Sequence, residues 1–301
     1  MEQQQRLKNL SYPQRPIDVV LDTDAYNEVD DQFAIAYLFS VKEKLNTKVI
    51  YAAPFFNKKS ESPADGMEKS YHEIFKVLDL AGEQAQVLRG SDRYLENEQT
   101  PVISDAAKDL AERVKDYSPE NPLYVVALGA ITNIASAILL NPQVAENAVV
   151  VWLGGHAHHY HDTAEFNMRQ DIAAARVVFT SGVPLIQLPC WGVVGNFAVS
   201  ELELKHYFMG KNPLADYLAR NAIEEAETYA NGTAWSRVIW DVTAVAWLLN
   251  DEDQFMRSRI IPGMMPNYDN QYEPVPQGYP IRYVYHIKRD KLLNALIRGL
   301  T

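Results

Sequence analysis

The chain has a single cysteine, Cys190, in 301 residues. No intramolecular disulfide can form, and a cysteine-based zinc cluster is excluded. Positive charge is also short: 28 Lys and Arg stand against 39 Asp and Glu, a formal net charge of −11. Such a surface repels phosphate backbones, so nucleic acid is not an expected partner, while small neutral ligands are not repelled. No apolar run approaches the roughly 18 residues that suggest a membrane span. Residues 1–15 lack the apolar centre of a secretion signal. The expectation is a cytoplasmic protein without a membrane partner. No internal repeat, low-complexity tract or clear linker interrupts the sequence. It reads as one domain over 1–301, with 1–15 as a flexible or surface arm.

What is present is ample core material, with 47% hydrophobic residues. Residues 17–21 (IDVVL), 48–53 (KVIYAA), 123–128 (LYVVAL), 148–153 (AVVVWL) and 184–188 read as strands without polar alternation. Strands of that kind are buried on both faces and belong to parallel sheets covered by helices. Helical periodicity falls between them, at 31–41, 64–80, 131–140 and 171–179. The alternation predicts an α/β fold, an open and mostly parallel sheet flanked by helices. The last third is more helical, with patterns at 214–229 and 241–249. Residues 261–280, rich in Pro, Gly, Asn and Tyr, read as a long loop before a strand at 281–285 and a helix at 291–300.

Residues 19–34 read VVLDTDAYNEVDDQFA. A buried strand ends, and Asp22, Asp24, Glu28, Asp30 and Asp31 follow within ten residues. Open α/β sheets bind ligands at the carboxyl ends of their strands. Carboxylates crowded there repel one another unless a cation sits among them, and Ca²⁺ takes six to eight oxygen ligands. Helix capping and the macrodipole account for Asp30 and Asp31, but not for Asp22 and Asp24. An EF-hand is excluded, because acids at alternate positions and a central glycine are lacking. An Asp-x-Asp after a strand also opens the haloacid dehalogenase phosphatases. The loop 25–29 lacks the hydroxyl or small-residue turn expected there, and that reading is set aside.

Three more segments follow: ALGAITNIA at 127–135; Gly154-Gly155 with AEFN at 164–167 and then Asp171; and VIWDVTA at 238–244. In this order with the aspartate cluster, the chain resembles the inosine–uridine preferring nucleoside hydrolase family over about residues 18–249. The resemblance implies that family's Rossmann-like fold and a calcium ion held by Asp24, Asp31, the backbone carbonyl of Thr132, and Asp241. It implies that Asp30, Glu165 and Asn167 bind sugar hydroxyls. Asp24 would be the general base toward a metal-bound water, with Asp22 supporting it from behind. The implied activity is hydrolysis of the N-glycosidic bond of a ribonucleoside or related N-riboside, in a homodimer or homotetramer. The chemistry is coherent. The bond breaks through an oxocarbenium-like sugar that carboxylates stabilise, and a divalent cation acidifies its water.

Each residue also has a plainer reading. Thr132 and Asn133 fit a helix cap, Glu165 and Asn167 ordinary loop polars, Asp241 a helix N-cap, and Trp240 the core. The sequence departs from the family in three places. Five residues, 25–29, separate Asp24 from Asp30, two more than usual, and the family's Pro-Gly step is missing. The loop is therefore expected to bulge, bringing Asn27 and Glu28 within reach of a ligand. Pro54-Phe55-Phe56-Asn57 stands where the family has Gly-Asn near the sugar, which makes Asn57 a candidate ligand contact. Trp240 stands where many members place a proton-donating His. Base stacking there is worth ~1–3 kcal/mol and favours a flat aromatic leaving group, but it leaves the acid unassigned. The loop 156–161 holds four of the seven histidines. It could supply that acid, bind a transition metal, or simply be solvated. Two further functions stay open: a non-catalytic, calcium-dependent ribosyl- or sugar-binding protein, and a hydrolase of a modified riboside or other glycosyl compound.

Overall fold

The computed structural model describes residues 1–230 and 232–301. Its centre is an eight-stranded sheet of β1 (Ile17–Thr23), β2 (Leu45–Ala52), β3 (Val87–Arg89), β4 (Leu123–Ala127), β5 (Ala148–Leu153), β6 (Leu185–Leu188), β7 (Met256–Pro262) and β8 (Pro280–Ile287). The spatial order is β3-β2-β1-β4-β5-β6-β8-β7. All neighbours are parallel except the edge pair β8 and β7.

The lack of polar alternation has its cause in the two layers of helices. Val19, Leu21, Val126 and Val151 face one core. Val20, Val125, Val150 and Trp152 face the other. The first core is closed by helices Asp30–Ser40, Pro63–Ala81, Pro213–Ala230, Val242–Trp247 and Arg289–Leu300, and the second by Asp105–Arg113, Thr132–Leu140 and Ile172–Ser181. Local signals set their ends. Ser62 caps Pro63–Ala81 through the Asp65 N–H, and Gly82 ends it at φ 67, a conformation that glycine adopts without a Cβ clash.

The strand order reverses between β1 and β4. A crevice opens outside the carboxyl ends of adjacent parallel strands where their connections diverge. The segments after Thr23, Ala127 and Leu153 meet at this place. The acidic loop, Leu128, Leu153 and His156 line it, while Thr132 and the rest of the TNIA segment are not among the lining residues.

Three expectations need correction or completion. The segment 261–280 is not a plain loop. β7 runs into it, and Met264–Pro266 pairs antiparallel with Tyr272–Pro274. Pro and Gly in the segment end short strands and do not prevent them, and Met265 and Val275 are buried in the second core. The three-residue strand β3 and the helix Asp105–Arg113 carry too few apolar positions to stand out in the sequence. Residues 1–15 include a helix, Gln3–Asn9. Gln5 and Asn9 donate to the Pro119 carbonyl at 2.8 Å, and Arg6 donates to that of Gly182 at 2.9 Å. Among the described residues, no helix is long and apolar enough to cross a bilayer.

Candidate functional site

A cavity of about 340 Å³ opens at the reversal point, within the range of small-molecule sites. Asp24 follows β1 directly, Asp30 and Asp31 form the first turn of the next helix, and Asp241 precedes Val242–Trp247. All four line the cavity, and each is 1–3% exposed. Residues more than 200 positions apart thus bring carboxylates to one point. Carboxylate oxygens of Asp30, Asp31 and Asp241 lie within 4.8 Å of one another.

Dry surroundings and mutual repulsion disfavour charge on these groups. Burial, then Asp31, Asp30 and Glu28, hold Asp24 well above the usual carboxylate range. Burial, then Asp30, Asp31 and Asp24, do the same for Asp241. Burial raises Asp31 to about 7, opposed by the Thr23 hydroxyl and by a hydrogen bond to Asp241. Asp24 Oδ2, Asp30 Oδ1 and Asp241 Oδ1 are buried with no hydrogen-bond partner. Buried polar atoms are almost always paired, and a hard cation satisfies several carboxylate oxygens at once. The donor set fits an oxygen-ligated cation.

The remaining predicted residues fall into distinct positions. Asp22 lies behind the cavity, raised to about 7 by burial, and accepts from Asn133 Nδ2 at 2.7 Å. Neither Thr132 nor Asn133 acts as a side-chain cap. The Thr132 hydroxyl donates to Asp171 Oδ2 at 2.7 Å, and Asn133 Oδ1 accepts from the N–H and hydroxyl of Ser91. Asp241 makes no side-chain cap either. Glu165 lines the cavity, with its carboxylate accepting from the backbone N–H groups of Gly155, Asn167 and Met168, each at 2.9 Å. Asn167 also lines it, and its Nδ2 donates to the carbonyls of Leu128 (2.7 Å) and Leu153 (3.1 Å), at the ends of β4 and β5. Asn27 and Glu28 reach the cavity as the longer loop led one to expect. Asn57 is not among the lining residues; it donates to Asn27 Oδ1 at 2.6 Å and so supports the loop.

Trp240 lines the cavity and meets Trp191 edge to face, with ring centroids 4.7 Å apart and planes at 83°. Trp191 is 48% exposed. Gly195 lies beneath both rings: a Cβ there would come within 3.0 Å of Trp191 and 3.2 Å of Trp240. Of the four loop histidines only His156 lines the cavity. His158 packs on Tyr272 and Tyr283 and bonds Gln187, and His161 pairs with Asp162. Among the described residues the one group of three or more His, Cys or carboxylate ligand atoms within 4.8 Å of one another is that of Asp30, Asp31 and Asp241. Cys190 also borders the cavity, its thiol pushed far up by burial.

Arg237, Trp191, Phe166 and Arg169 line the cavity as well and were not anticipated. Trp191 follows β6 by three residues, and the strand-end rule could have found it. Arg237 lies four residues before Asp241, and nothing in its local sequence marks it.

The family profile described as inosine-uridine preferring nucleoside hydrolase matches residues 19–273. A non-specific ribonucleoside hydrolase of Salmonella paratyphi A is 27% identical over 163 residues, covering 53% of this chain and 51% of that protein. The chain therefore spans about half the length of the curated relatives it matches. The fold is shared with a purine-preferring ribonucleoside hydrolase from Gardnerella vaginalis (TM-score 0.75, 19% identity, 94% of this chain and 98% of that one). It is also shared with the type III effector protein XopQ, solved with adenosine diphosphate ribose (TM-score 0.71, 18% identity, 100% of both chains). The profile match extends from β1 past Asp241 to Glu273, across every segment that builds the cavity, and the chain belongs to the inosine-uridine preferring nucleoside hydrolase family.

Proposed function

We propose that this protein hydrolyses the N-glycosidic bond of a ribonucleoside or related N-riboside, with calcium as its cofactor. The observation that carries the reading is the convergence of Asp24, Asp30, Asp31 and Asp241 in one cavity beside Trp240, with unpartnered oxygens on Asp24, Asp30 and Asp241. The activities of the relatives point the same way.

Asp31, Asp241, the Thr132 carbonyl and either Asp24 or Asp30 would hold the ion. When bound, calcium supplies the charge that orients a vicinal diol and acidifies a water. Asp24 takes the proton of the attacking water. As the C–N bond opens, the acids around the sugar stabilise its developing positive charge. Glu165 is fixed by three N–H donors and Asn167 by two carbonyl acceptors, so neither must reorganise when the sugar binds. The Asn167 side-chain oxygen takes no part in those bonds and serves a sugar hydroxyl. Trp240 carries the leaving group on its face, and the base departs with the bonding electron pair and takes its proton from solvent. Trp240→Ala is expected to raise KM for such ribosides by about tenfold, following the worth of base stacking, with calcium affinity unchanged in a titration.

The test is release of free base and reducing sugar from a riboside panel in calcium buffer, alongside 2′-deoxy analogues. Turnover of ribosides with the deoxy analogues at least about 10²-fold slower is expected, because a diol needs both hydroxyls. Heat stabilisation by ribosides without product would instead support a non-catalytic binder. A second reading keeps the bond and enlarges the substrate to a modified riboside or other glycosyl compound. It is favoured by Asn27 and Glu28 lining the cavity, and the effector solved with adenosine diphosphate ribose has the same fold.

A further inference from the structure

The loop 25–29 contains no Pro to restrict its course, and a free loop of that length samples many conformations. Asn57 Nδ2 ties it at Asn27 Oδ1 and Ser70 Oγ accepts from the Tyr26 N–H, and two cationic side chains tie it further. Lys59 Nζ donates to the Asn27 carbonyl at 2.7 Å, and Arg237 Nη2 donates to Glu28 Oε2 at 2.6 Å. Glu225, on the helix Pro213–Ala230, binds Lys59 at 2.9 Å and lies 3.7 Å from Arg237. Lys59, Glu225, Arg237 and Glu28 thus form a row of alternating charge. Glu28 stands two residues before Asp30, and Arg237 four before Asp241. Their bond therefore joins the two chain segments that deliver the clustered carboxylates. The Arg237 side chain is only 13% exposed, although that of Glu28 is 40% exposed.

We propose that the Glu28–Arg237 pair, braced by Glu225 and Lys59, is a clamp that fixes Asp30 and Asp31 against Asp241 and thereby sets the cation affinity of the site. Arg237 is a positioning residue, and the proposal rests on reading the cavity as a calcium site. The ion-pair row does for this loop what a Pro-Gly turn does by backbone restriction.

The sign of one effect separates the clamp from simple electrostatics. Arg237 is a positive charge near the site. Removing it, by charge alone, should tighten calcium binding. A clamp predicts the opposite, because losing a group that orients metal ligands costs about 10- to 100-fold in affinity. Calorimetric titration of the full chain with calcium chloride decides. Arg237→Gln is expected to bind calcium about 10- to 100-fold more weakly, while Arg237→Lys, which can still reach Glu28, stays within about threefold of the wild type. Lys59→Met, at a partly exposed position, removes a second positive charge and the Asn27 tether. It is expected to weaken binding about 3- to 10-fold, and it decides the matter if circular dichroism shows that Arg237→Gln does not fold. Unchanged or tighter binding in folded Arg237→Gln or, where that does not fold, in Lys59→Met overturns the clamp. A wild-type protein that binds no calcium overturns the reading of the cavity and the clamp with it, before any substitution is made.

Discussion

Asp24→Asn is expected to lower kcat by about 10³-fold at saturating calcium, the middle of the range for losing a general base. The substitution keeps the shape of the side chain and removes its ability to accept a proton. Asp24 combines features of a base: an oxygen with no partner, full burial, and neighbours that raise its proton affinity. Gly129 leaves the space against it open, since a Cβ there would lie 3.1 Å from the Asp24 carboxyl carbon. Asp22, two residues earlier and within β1, is the internal control. It sits outside the cavity and is bonded to Asn133, so Asp22→Asn should change kcat by no more than about tenfold, the lower cost of an outer support. Equal losses at the two positions would remove the special role of Asp24. Calcium titrations of Asp24→Asn and Asp30→Asn answer a second question. The resemblance implies Asp24 as a ligand, whereas the tightest carboxylate trio contains Asp30. The variant that loses more affinity marks the true third carboxylate.

The fold was legible where one physical cause dominated. Strands 1, 2, 4, 5 and 6 are covered on both faces, so their apolar runs are unbroken and visible. The acid cluster was legible because five acids fall within ten residues at a strand end, where simple capping explains only two. Illegibility begins where a role depends on contacts distant in sequence. Glu28 and Arg237 are 209 residues apart, and neither residue alone distinguishes an ion pair from a solvated charge. Asn57 matched a family position by type, yet its amide supports Asn27, because the two-residue-longer loop interposes itself. Glu165 was read as a sugar ligand, and only coordinates reveal that three backbone N–H groups occupy its carboxylate. The hairpin within 261–280 was hidden for a compositional reason, since the Pro residues that end its strands also mark loops.

In chelator the wild-type protein is expected to lose thermal stability as pH rises from about 5 to about 8, and calcium should abolish that slope. The sign follows from the buried acids. Unfolded aspartates titrate near 4, whereas in the folded chain burial raises Asp22 and Asp31 to about 7 and, with the neighbouring carboxylates, holds Asp24, Asp30 and Asp241 well above the usual carboxylate range. Between those values the folded state holds more protons than the unfolded one, so stability falls with rising pH. It is fully present below about 4 and is lost through about 7 and above. A bound cation replaces the missing protons and stabilises by about 2.7 kcal/mol at a hundredfold excess over its Kd, roughly 5 °C in Tm for a chain of this size. Asp31→Asn removes one of the repelling charges but also one ligand. Its melting temperature should therefore lie above the wild type in chelator near pH 8 and below it in calcium. That crossing separates a cation site from a cluster that is merely strained, because relief of strain alone would leave the variant more stable in both buffers.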